Sequence, residues 1–110
     1  MGNDIIFSDK VIDYLEKLTN ILIDKEYFLF FENAENYVSK IVDDIHFYIP
    51  LKRKRDTPLP LRKHGKYYII LPADKRTSWY VFFEYYNGRY FIQYITNNHS
   101  AKASFINRLK

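Results

Sequence analysis

Histidine, tyrosine, lysine and arginine crowd the second half of this 110-residue chain, and cysteine is absent throughout. Those four side chains can hold phosphate, exchange protons and stack on rings without a metal. His99 follows an apolar run and is flanked by Asn97, Asn98 and Ser100. A partly solvated imidazole there is a candidate general acid or base, because imidazole exchanges a proton near neutral pH. The alternative is a plain surface histidine in a polar tail. Arg76 and Arg89 stand at the ends of apolar runs, where a bidentate guanidinium holds a phosphate or simply keeps a strand edge soluble. Arg62, Lys63, His64 and Lys66 form a basic group ahead of the next apolar run, suited to phosphates or to solvent. Lys52-Arg53-Lys54-Arg55 is a run of four cations, either a grip on a polyanion or a solvated loop. Tyr80, Tyr86, Tyr90 and Tyr94 can stack bases or donate a phenolic proton, or else pack within strands.

Other chemistries lack their residues. His46, His64 and His99 share no ligand spacing, and without cysteine no thiolate zinc site or disulfide framework can form. Three glycines make no phosphate-cradling loop, and no nucleophile elbow is present. The reading therefore calls for no metal and no cofactor.

Charge divides along the chain. Residues 1–50 carry four lysines against ten acids, a net of −6, while residues 51–110 carry thirteen lysines and arginines against three acids, a net of +10. Such a division gives one face for a polyanion and an acidic face turned away, or two halves that neutralise each other. At 47% hydrophobic and 27% charged the composition is that of a globular domain, and the length suits one domain over residues 1–110. No apolar run approaches the ~20 residues of a membrane span, and the first ten residues lack a basic lead into an apolar stretch. The expected location is cytoplasmic, with no membrane partner.

The elements that must position these groups follow from periodicity. Residues 4–7 predict a short strand, with Ser8 as the N-cap of a helix running to about Ile23. Tyr27 to Phe31 predicts a buried connector. Ala34, Tyr37, Val38, Ile41, Val42, Ile45 and Ile49 predict a second amphipathic helix, stopped by Pro50. Residues 51–66 hold seven cations and two prolines and predict a long structureless loop. Strands are predicted at 67–71, 77–86 and 89–96, the last two joined by Asn87-Gly88, a strong type I′ hairpin signal. With a two-residue loop, cross-strand partners sum to 175, which places Trp79, Val81, Phe83 and Tyr85 with Tyr94 and Ile92 on one face. Tyr80, Phe82, Glu84 and Tyr86 then share a partly open second face with Ile95 and Gln93. Residues 101–109 predict a short terminal helix.

This order resembles the RelE/ParE toxin superfamily. IIFSDKVIDYLEKL (5–18) is similar to its strand-to-helix opening, and residues 34–60 resemble its second helix and the basic, proline-bearing segment after it. HGKYYIIL, TSWYVFFEYYNG and RYFIQYITNNHS resemble its last three strands and polar tail, so the resemblance spans nearly the whole chain. It implies an α+β domain: an N-terminal strand and a helical hairpin packed on an antiparallel meander. It also implies a toxin held inactive by a cognate antitoxin, acting as a metal-independent mRNA endonuclease, in some members on the ribosome, or as a non-enzymatic gyrase inhibitor of the ParE kind. On the nuclease reading His99, Arg76, Arg89 and Lys66 are the catalytic candidates. Lys52, Arg53, Lys54, Arg55, Arg62, Lys63, His64, Tyr80, Tyr86 and Tyr94 are then the RNA-binding ones. Two departures bear on the catalytic roles: Trp79, Tyr80 and Val81 stand where the family often has a middle-strand arginine, which favours the inhibitor, and its "HR" or "HK" reads His99-Ser100-Ala101-Lys102. A third reading is a non-toxic module that binds nucleic acid or protein on the same fold.

Overall fold

A computed structural model of the chain describes residues 4–24 and 31–100. Strand β1 (Asp4–Phe7) leads into helix α1 (Asp9–Asp24), and helix α2 (Phe31–Tyr48) follows. Ser8 starts α1 as its spacing predicts: its hydroxyl accepts the Val11 N–H at 3.2 Å and its carbonyl accepts the Ile12 N–H at 3.0 Å, so side chain and backbone both serve the orphan donors of the first turn. Val11, Leu15, Leu18 and Leu22 are the buried stripe of α1, and Ala34, Val38, Ile41, Ile45 and Ile49 continue that of α2. Of the connector expected over Tyr27 to Phe31, Phe31 instead opens α2, and the rest of it, like the helix expected over 101–109, lies outside the described residues.

Five strands make one mixed sheet in the order β1-β5-β4-β3-β2, with β2 at Arg55–Asp56, β3 at Tyr67–Pro72, β4 at Ser78–Tyr86 and β5 at Arg89–Asn97. The meander β3-β4-β5 is antiparallel, and β1 joins β5 in parallel, so the class is α+β with helices packed on a five-stranded sheet. The hairpin turn is as its residues demand: Asn87 has φ 50° and Gly88 φ 78°, the paired positive values of a type I′ turn.

Two sequence expectations are corrected. Cross-strand partners follow the sum of 175 only from Tyr86↔Arg89 to Phe83↔Ile92, and a bulge between Phe82 and Phe83 then shifts the pairing to Phe82↔Tyr94, Val81↔Ile95 and Tyr80↔Thr96. One extra residue flips every later side chain to the other face. Ile95 therefore joins the helix-side core, and Tyr94 moves to the second face with Tyr68, Tyr80 and Phe82. The bulge improves the fit, since it exchanges a tyrosine for an isoleucine under the helices.

The second correction concerns residues 51–66, which are built rather than structureless. Arg55 and Asp56 pair with Tyr68 and Tyr67 at the edge of the sheet, and Leu59–His64 form a 3₁₀ helix with proline in its first turn. Proline bars an α-helix interior but suits a first turn, where its missing N–H is not needed. This short helix lies across the second sheet face, where Leu61 packs with Tyr68, Tyr80 and Phe82. His64, only 8% exposed, stacks on Tyr94 at 4.0 Å between ring centroids. The sheet thus carries a core on each face, and Phe82 and Phe83, neighbours in sequence, are fully buried in different ones.

Candidate functional site

Two short polar turns meet at the end of the sheet remote from Asn87-Gly88, and His99 belongs to one of them. The first follows Pro72. Asp74 Oδ1 accepts the N–H groups of Arg76 at 2.8 Å and Thr77 at 2.9 Å, a local bond that short polar side chains make to their own turn. The Thr77 carbonyl in turn accepts the N–H groups of Ala73 and Asp74. The second turn follows β5, where Asn97 Oδ1 accepts the His99 N–H at 2.9 Å and the Asn97 carbonyl accepts the Ser100 N–H at 3.1 Å.

Asn98 fastens the two together. Its Oδ1 accepts the Ser78 N–H at 3.0 Å, its Nδ2 donates to the Arg76 carbonyl at 2.9 Å, and its own N–H reaches the Ser78 carbonyl at 3.1 Å. Thr77 Oγ1 then lies 3.2 Å from His99 Nε2. An exposed imidazole is held here by its backbone, by its ring and by the neighbouring turn, which is the preorganisation that acid–base chemistry requires.

Behind these turns a cavity of about 400 Å³ opens between α1, α2 and the sheet, with Tyr14, Leu18, Leu22, Tyr37 and Trp79 on its apolar side and Asp74, Thr77, Asn97, His99 and Ser100 on its polar side. The Trp79 indole N–H donates to the Tyr37 hydroxyl at 3.0 Å. Burial pushes the Tyr14 hydroxyl above its ordinary range, helped by Tyr94 and Tyr37. Burial likewise raises that of Tyr37, against the lowering effect of the Trp79 bond and with a smaller push from Asp74. Both phenols stay protonated donors at neutral pH.

A separate basic strip crosses the edge and second face of the sheet. Lys52, Arg53, Lys54, Arg55 and Asp56 line a cleft of about 420 Å³ with Ile69 and Ile70. Lys52 and Lys54 turn inward: Lys52 Nζ donates to the Ile70 carbonyl at 2.6 Å, and Lys54 Nζ lies 4.3 Å from the centroid of the Tyr85 ring. Arg53 and Arg55 stay exposed. Exposed Arg62 and Lys63 come next on the 3₁₀ helix, where Arg62 donates to the Thr57 carbonyl at 2.9 Å. Lys66 follows, its N–H on Glu84 Oε2 at 2.8 Å. Arg89 lies 3.4 Å from Asp4, and its cross-strand partner Tyr86 is 69% exposed.

The four catalytic candidates do not share one place. His99 and Arg76 stand at the polar turns. Lys66 and Arg89 stand at the other end of the meander, across β4, whose nine residues span about 27 Å at ~3.4 Å per step. Of the RNA-binding candidates, Arg53, Arg55, Arg62, Lys63 and Tyr86 face solvent, and Lys52 and Lys54 are half-buried. Tyr80 and His64 are buried and Tyr94 lies half-buried in the second core, because the 3₁₀ helix covers the face they occupy. Asp74, Thr77, Tyr14 and Tyr37 were not among the sequence candidates. Asp74 was detectable as a turn-forming residue two positions before Arg76; Tyr37 read only as helix stripe, and Tyr14 carried no signal beyond its place within the first helix.

Among the described residues no three of His, Asp and Glu gather as a metal site requires, and no helix is long and apolar enough to cross a membrane. The fold and its site define a class, an α+β domain with a fixed histidine at one pole of its sheet and a basic strip on the far face. Among known proteins, the chain matches no family model, no curated protein and no solved structure.

Proposed function

We propose that this protein is an RNA-directed toxin of the RelE/ParE kind, which cuts single-stranded message without a metal at the His99 pole and is restrained by a cognate antitoxin. The observation that carries the reading is the web of bonds that fixes exposed His99 against Thr77 and Asn97 and ties the Arg76 backbone to neighbouring Asn98. In the reaction the ribose 2′ oxygen forms a bond to phosphorus and the bond from phosphorus to the 5′ oxygen breaks. His99 takes the 2′ proton, water protonates the departing 5′ oxygen, and Arg76 faces the charge on the phosphate. The ends produced are a 2′,3′-cyclic phosphate and a 5′ hydroxyl. The basic strip holds flanking phosphates.

Inducible expression in a bacterium, with growth followed while RNA 5′ ends are mapped, tests this directly. Growth arrest with clustered new cuts supports the reading, and His99→Ala should slow cutting by about 10²–10⁴-fold, the usual worth of a positioned acid or base. Cutting that persists in the double variant His99→Ala, Arg76→Ala would refute the site.

The distance between His99 with Arg76 and Lys66 with Arg89 favours a second reading, a non-enzymatic gyrase inhibitor. Arrest with DNA damage and no RNA cuts would select it.

A further inference from the structure

We propose that the cavity behind His99 is a base pocket, which admits one unpaired nucleobase of a single-stranded RNA from the nucleotide whose phosphate lies at Arg76. The inference rests on the RNA-directed reading of that pole. The cavity, about 400 Å³, falls in the size range of small-ligand sites, roughly 300–1,000 Å³. Its chemistry is two-sided in the way a base is. Leu18, Leu22 and the rings of Tyr14 and Tyr37 form the side toward the helices, which suits a flat apolar face. The side toward the turns is polar. Asp74 holds its turn through Oδ1 and Asn97 holds His99 through Oδ1, which leaves Asp74 Oδ2 as an acceptor and Asn97 Nδ2 as a donor for the edge of a base. Lys75 and Arg76 sit exposed on the turn that forms the rim, so a phosphate attached to the bound base meets positive charge.

Trp79 is the chain's single tryptophan and lies in the cavity wall, so its fluorescence reports occupancy without reference to catalysis. The intact protein is titrated with the four nucleoside 3′-monophosphates, with ribose 5-phosphate and inorganic phosphate as controls. A saturable change with nucleotides at a Kd on the order of 1 mM or tighter, absent with ribose 5-phosphate, is the expected result. Ile21→Phe narrows the mouth at a residue that is 36% exposed, so it spares the core; it should weaken nucleotide binding about tenfold. Equal changes with ribose 5-phosphate, or no saturation with any nucleotide, would overturn the pocket. Nucleotide-dependent quenching in a protein that makes no RNA cuts upholds the pocket and removes the nuclease. RNA cutting without any nucleotide-dependent quenching removes the pocket and leaves the nuclease.

Discussion

Gly65 joins the 3₁₀ helix to β3, and replacing it with alanine is the sharpest test of how residues 51–66 are held on the sheet. Its φ of 149° lies in a region that residues with a side chain rarely adopt, at a cost of about 1–3 kcal/mol. A Cβ at this position would also stand 2.7 Å from the Phe83 nitrogen and 3.1 Å from the Phe82 carbonyl carbon. Both are backbone atoms of a central strand and cannot rotate away, so the overlap adds about 1–3 kcal/mol of overpacking. The sum, taken at about 3–4 kcal/mol, is a large share of the ~5–15 kcal/mol that holds a domain folded, and lowers the melting temperature by about 10–25 °C. Gly88→Ala separates the two causes. Gly88 also has positive φ, at 78°, but a Cβ there meets nothing within 4 Å, so only the conformational cost of about 1–2 kcal/mol remains. Thermal melts followed by circular dichroism should therefore rank wild type above Gly88→Ala above Gly65→Ala. If the two variants melted together, or Gly65→Ala melted with wild type, the close approach of this segment to β4 would be refuted.

Asn98→Ala removes two side-chain hydrogen bonds between the polar turns. It should cost about 1 kcal/mol in denaturant midpoint, because both bonds are near solvent. It should slow RNA cutting while leaving RNA affinity in place, which separates positioning of His99 from binding. Burial holds the hydroxyls of Tyr14, Tyr37, Tyr80 and Tyr90 above the ordinary 10.0. The unfolded chain then loses those protons first, so stability that is complete below pH 10 declines as the pH climbs toward the raised values. Denaturant midpoints measured between about pH 8 and 12 should fall along that limb, and Tyr14→Phe should flatten part of the fall. Lys52→Ala removes the ammonium that caps the Ile70 carbonyl on an edge that β2 covers only at Tyr67 and Tyr68. Sedimentation velocity should then reveal more self-association than in wild type at the same concentration, as an uncovered edge invites pairing. Binding of a single-stranded RNA across a salt series should lose about 0.7 from its log–log slope for each of Arg53, Arg55 and Arg62 replaced by alanine. An unchanged slope would remove the basic strip from the interface.

Local chemistry alone set several elements. Ser8 had to start a helix because its hydroxyl reaches the third residue on, and Asn87-Gly88 had to turn because positive φ is cheap for those residues. The stripe from Ala34 to Ile49 needed only its 3.6-residue period. His99 and Arg76 could be nominated from residue type, as could the cations from Lys52 to Lys66. Their arrangement was decided by contacts that no local pattern contains. The bulge opposite Phe82 and Phe83 is invisible in a strand that is aromatic on both faces, since either register buries rings; the choice falls to which residue fits under the helices, and Ile95 replaces Tyr94 there. The basic segment read as loop because its prolines and charges mask two anchors, Leu61 and His64, whose burial depends on a second sheet face far away in sequence. Thr77 meets His99, and Asp74 lines the same cavity, only after the strands have aligned, and the pairing of β4 with β5 brings Arg76 to Asn98 while carrying Lys66 and Arg89 to the other end. Residue chemistry thus settled what each group can do, and long-range strand pairing settled which of them meet.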